Sequence, residues 1–152
     1  MPTLQWRCVN GGDFVSRAID FVSRGAVCHT EFIVGEQSLG SRADGGVKYR
    51  TLDNYPVDFR FSAQVTEEQY SAIMAFLAKQ IGKPYNDLAI VGILDDQAAL
   101  EDLEDNKAWY CSQLWAAAMQ ESKIIGQLPK AVANVTPEDA LLISSAMGWA
   151  AS

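Results

Sequence analysis

The chain's one histidine, His29 in AVCHTEFIV, and a cysteine far downstream, Cys111 in WYCSQLWAAAMQ, are the residues whose chemistry goes beyond packing. A thiol is a strong nucleophile only as its thiolate. Two devices supply that form: the unpaired N–H groups of a helix N-terminus, and an imidazole that takes the proton. Cys111 opens a segment in which Cys111, Leu114, Trp115 and Ala118 recur at helical spacing, so the sequence predicts a helix that begins at the sulfur. His29 stands at the mouth of HTEFIV, which alternates like a strand. A helix laid against a sheet brings two such element starts together, and the pair would then suit acyl transfer, with sulfur attacking a carbonyl and imidazole moving the proton.

The elements that must do this positioning are readable in outline. TLQWRCV reads as a strand, Gly11, Gly12 and Asp13 break it, and Phe14, Val15, Ala18, Ile19 and Val22 then recur as one face of a helix. HTEFIV, the turn GEQ and SLGSRA read as a hairpin carrying His29, followed by DGG and a further extended run, VKYRTL. VDFRFSAQV predicts another strand. TEEQ after it is a capping box, with Thr66 and Gln69 reciprocally satisfying backbone N–H groups. Tyr70, Ile73, Met74, Leu77 and Ile81 then line a helix face that Gly82 and Pro84 end. NDLAIVGIL reads as a short helix before the cysteine helix, and TPEDALLISSAM as a closing helix with Thr136 as N-cap, Pro137 at its first position and two acids in its first turn. This order predicts an α+β fold, an antiparallel sheet packed against helices.

Composition bounds the rest. The 152 residues suit one domain over 1–152, and 49% apolar with 20% charged residues is ordinary globular composition. A formal net charge of −7 argues against nucleic acid or anionic lipid as a partner. Much of that charge lies in LDDQAALEDLEDN, read as a solvated face that also offers attraction to cationic groups on a substrate or protein partner. No apolar run is long enough to span a bilayer, and the opening MPTLQWRCVNGG has neither a basic leader nor an apolar core. The expectation is a protein made in the cytoplasm, with export by a dedicated machine or a phage particle left open. Cys8, Cys28 and Cys111 are an odd set without a paired framework, which fits reduced thiols. Together with His29 they do not make a convincing zinc site, because close Cys-x2-4-Cys pairs are lacking and the adjacent Cys28 and His29 point to opposite strand faces. No cofactor is expected.

SRAIDFVSRGAVCHTEFIV, LGSRADGGVKYR, IGKPYNDLAIVGIL and WYCSQLWAAAMQ, in that order, resemble the circularly permuted members of the NlpC/P60 superfamily. These are papain-like cysteine hydrolases in which the histidine precedes the cysteine. The resemblance touches most of the chain and rests on order and setting, since no single motif decides it. It implies a papain-like permuted fold, Cys111 as nucleophile, His29 as general base, and the backbone N–H of Cys111 as part of an oxyanion hole. It also implies a polar residue on the strand after the histidine to orient the ring, a position at which this chain has Ser41. Chemistry favours another residue for that role, Glu31, which lies two positions beyond His29 on the same strand face.

The substrate class implied is an amide, peptide-like and possibly a cell-wall peptide, or a related acyl bond. Two plainer readings stand beside it. His29 and Cys111 are also intelligible as a satisfied structural histidine and a small buried hydrophobe. The fold would then be retained as a catalytically inactive module for binding or assembly, for example in a phage-like particle.

Overall fold

The computed structural model describes residues 1–11, 27–86, 107–128, 132 and 135–151. The helix expected over Phe14–Val22, most of NDLAIVGIL and the acidic run lie outside the described residues.

Six strands form one antiparallel sheet: β1 (Thr3–Asn10), β2 (His29–Val34), β3 (Gln37–Arg42), β4 (Gly46–Thr51), β5 (Val57–Gln64) and a two-residue β6 (Ala150–Ala151). Their spatial order is β4-β3-β2-β1-β5-β6, so β1 and β2 lie in the middle. Three helices complete the described chain: α1 (Glu67–Gln80), α2 (Cys111–Glu121) and α3 (Pro137–Ala146). The α+β reading holds, with an antiparallel sheet and helices against it. β6 has no counterpart in the sequence reading, because two alanines carry no strand signal.

Period-two alternation separates the sheet's faces. Leu4, Trp6 and Cys8 of β1, Phe32 of β2, Leu39 of β3 and Phe61 and Ala63 of β5 lie in the apolar core shared with the helices. Trp6 is the centre of this layer. Its ring stacks on Phe61 at 6.0 Å between centroids and meets Trp149 edge-on at 4.9 Å, and its Nε1–H donates to Ser144 Oγ of α3 at 2.9 Å. The other face carries Arg7, His29, Glu31 and Arg42, all of them buried or nearly so. Charged residues in the middle of a sheet are unusual, and they turn out to answer one another.

Helix starts follow the sequence closely. Thr66 Oγ1 accepts from Gln69 N–H at 3.1 Å while Gln69 Oε1 accepts from Thr66 N–H at 3.0 Å, and Thr136 and Asp139 repeat the arrangement in front of Pro137. The face of α1 differs from expectation. Ile73 and Leu77 are buried as expected, and so are Phe76 and Gln80, whereas Ile81 is the C-cap and lies exposed. The helix ends before its last apolar residue can turn inward. α2 also departs from the one-sided pattern: every residue from Cys111 to Met119 is buried. It is a central helix enclosed on all sides, packed on β2, β3, α1 and α3.

Candidate active site

The start of α2 is held by a frame built from three other segments. Trp109, two residues before Cys111, donates its N–H to Pro84 O at 3.0 Å, and its carbonyl accepts from Asn86 N–H at 3.0 Å and from Ser41 Oγ at 2.6 Å. Its indole Nε1–H donates to Gln80 Oε1 at 2.8 Å, an oxygen that also accepts from Lys83 Nζ at 2.7 Å. The segment Gly82–Lys83 is stitched to β4, with Gly82 N–H on Val47 O and Val47 N–H on Lys83 O, both at 2.9 Å. Tyr110 is the N-cap residue of α2, and its N–H donates to Gln113 Oε1 at 2.9 Å. Cys111 is therefore delivered at the first position of a helix whose approach is fixed on both sides.

Gly46 makes this frame possible. Its φ is +71°, and a Cβ there would stand 2.2 Å from Lys83 O. Gly46→Ala is expected to cost about 2 kcal/mol, combining left-handed strain with the displaced backbone. Urea unfolding checks the loss, and the near-ultraviolet signal of Trp109 should change with it.

The sulfur of Cys111 faces the backbone N–H groups of Thr30 and Ser112. The thiol therefore lies beside Thr30, the residue that follows His29 at the start of β2. Burial pushes the thiol up to about 12, the two N–H groups pull it down, and the nearby Cys28 and Cys8 thiols push it up again. At neutral pH the resting group is a thiol. Cys28 is buried with its sulfur on Val9 O at 3.6 Å, and Cys8 accepts from Thr30 Oγ1 at 3.7 Å. Among the described residues no group of three or more His, Cys, Asp or Glu is placed to hold a metal ion.

His29 and Glu31 are brought together, with Nε2 of the ring 2.7 Å from Glu31 Oε1. The carboxylate is enclosed by two guanidinium groups. Arg7 places Nε at 3.0 Å and Nη2 at 2.6 Å from Oε2, while Arg42 places Nη2 at 2.8 Å from Oε1 and 3.1 Å from Oε2. Burial works against ionisation of Glu31, but the electrostatic attraction and hydrogen bond of His29, and then the Arg42 guanidinium, outweigh it and hold the group well below the usual carboxylate range. His29 moves downward as well: burial lowers it, Glu31 opposes that, and Arg42 and Arg7 add to the lowering. The ring is neutral at pH 7. An ionised carboxylate only accepts, so the network assigns the ring proton to Nε2 and leaves Nδ1 as the basic nitrogen. Nδ1 is also the ring nitrogen nearer its own main chain, and the next amide along that chain is the one facing Cys111.

Ser41 stands elsewhere. It lies on the Leu39 face of β3, its hydroxyl on Trp109 O, whereas His29 shares the opposite face with Glu31. Its observed contact is with the approach to Cys111, so the structure does not bring Ser41 to the imidazole. Sequence reasoning missed Arg7 and Arg42 altogether. The one available signal was an arginine embedded between Trp6 and Cys8 in an otherwise apolar strand, a placement that demands a buried partner. In comparisons with known proteins, the chain matches no family model and no curated sequence.

Proposed function

We propose that the chain is a cysteine hydrolase of the permuted NlpC/P60 type, papain-like in fold, that cleaves a peptide-like amide or related acyl bond. The observation that carries this reading is the buried His29–Glu31 pair, Nε2 2.7 Å from Oε1, on a strand whose next amide, that of Thr30, faces Cys111 Sγ. Because both partners rest neutral, His29 acts as a general base and no thiolate is held in advance. Nδ1 takes the thiol proton as sulfur bonds to the carbonyl carbon and the carbonyl π pair moves to oxygen. The backbone N–H of Cys111, at the start of α2, receives that oxygen. Collapse expels the amine, which receives the proton from Nδ1, and water then cleaves the thioester by the same route. No metal or cofactor enters these steps.

The burial of Cys111 supports a second reading, the inactive module whose thiol is only packing. Alkylation separates the two, using a Cys8→Ala, Cys28→Ala background so that Cys111 reports alone. Under the hydrolase reading the alkylation rate follows the titration of His29, levels off by neutrality, and falls roughly 10²–10⁴-fold in His29→Ala. Under the module reading Cys111 is inert until the pH approaches 12, whichever residue occupies position 29.

A further inference from the structure

Glu31 is an unusual orienting residue because it is so heavily paired. Oε1 meets His29 Nε2 and the Arg42 fork, and Oε2 meets the Arg7 fork and Arg42 Nη2. The arginines are in turn tied to the β4–β5 connection and to β5. Arg7 Nη1 donates to Asp53 O at 2.6 Å and Nη2 to Asp53 Oδ1 at 2.9 Å, Asp58 Oδ2 lies 3.4 Å from Nη1, and Arg42 Nη2 reaches Asp53 Oδ1 at 3.3 Å. Tyr55, whose hydroxyl donates to Asp53 Oδ2, places its ring 4.9 Å under the Arg7 guanidinium. Among the described residues, the charged groups that act on His29 are thus Glu31 on β2, Arg7 on β1 and Arg42 on β3, with Asp53 and Tyr55 on the connection and Asp58 on β5 one contact further out, through the arginines.

We infer that Arg7 and Arg42 are positioning residues for His29, acting through Glu31: they fix the carboxylate so that it sets the ring's orientation and tautomer while its charge is already answered. A lone buried carboxylate beside a histidine favours imidazolium, which could not accept a proton from Cys111. Burial already disfavours imidazolium, and two guanidinium groups sharing that carboxylate add to this, leaving a neutral ring with the proton on Nε2. Asp53 balances the arginines from the partly exposed side, at 47% side-chain exposure. The catalytic meaning of the clamp rests on the hydrolase reading, but its effect on the ring does not.

The chain has one histidine, so nitrogen-15 NMR of its imidazole reads tautomer and titration without assignment ambiguity. The wild type is expected to show the neutral Nε2–H form across neutral pH. In Arg42→Gln the His29 titration moves upward, in Arg42→Lys it stays near wild type because the charge remains, and in Asp53→Asn it moves further downward. Loosening of the fold would instead drive every variant upward toward a free histidine, so opposed signs mark an electrostatic role. Wild-type titration in both Arg42→Gln and Asp53→Asn, or an upward shift in both, would overturn the inference whether or not Cys111 reacts. Alkylation of Cys111 in the same samples tests the hydrolase reading separately: slowing in Arg42→Gln at pH 6–7 is the expected companion of the upward shift.

Discussion

Replacing Glu31 by alanine is expected to remove about 3–5 kcal/mol of stability, because it takes from Arg7 and Arg42 their one fully buried carboxylate and leaves two guanidinium groups to share Asp53 and Asp58. A domain of this size holds only about 5–15 kcal/mol in all, so Glu31→Ala leaves little margin. The urea midpoint should fall steeply with an unchanged slope, which marks lost stability without a change in the surface exposed. Glu31→Gln separates charge from shape: its amide oxygen still accepts from one fork, so it should lose less than alanine. Acid gives an independent check. Glu31 is held below its ordinary 4.5, so its contribution is complete above that pH and disappears as pH falls below it. His29 is also lowered, and the unfolded chain takes up its proton at about 6.5 while the fold refuses it, so stability declines first from pH 6.5 downward. Wild-type protein should therefore lose stability in two stages, and Glu31→Ala should lack the lower one. A single stage beginning below pH 4.5 in the wild type would mean that His29 protonates freely in the fold.

What the sequence made legible, and what it hid, follows from the range of the interactions. The caps at Thr66 and Thr136, the start of α2 at Cys111 and the strands β1, β2 and β5 depend on neighbours within four positions, and they are where the sequence put them. The His29–Glu31 contact is also local, two residues along one strand. Arg7 belongs to the same site only through the pairing of Arg7 with Glu31 across β1 and β2, a register that no local pattern specifies. Ser41 shows the converse: its place on the strand after the histidine was legible, but its partner, Trp109 O, is 68 positions away. The glycine at 46 and the stitch from β4 to Lys83 became meaningful only once two distant backbones were seen to touch.

Alkaline pH should destabilise the protein progressively from pH 9 toward 12. Burial pushes both Cys8 and Cys111 from 9.0 up to about 12. The direction of the linkage is fixed: above pH 9 the unfolded chain releases two thiol protons that the fold retains, so stability is full below pH 9 and is lost as pH rises toward 12. Each thiol contributes a loss on the order of 1 kcal/mol per pH unit, and the buried Tyr110, likewise raised by burial, adds to it from about pH 10. The sum over this range approaches the whole stability of a small domain, so a cooperative alkaline transition is expected in circular dichroism. Cys8→Ala should make the limb shallower, and Cys111→Ala should do so by a similar amount. On the hydrolase reading proposed above, the comparison also separates two forms of the nucleophile. If only Cys8→Ala flattens the limb, Cys111 ionises inside the fold, and the nucleophile is a preformed thiolate facing an imidazolium. If both do, Cys111 rests as a thiol, and attack waits for His29 to take the proton as the carbonyl is approached.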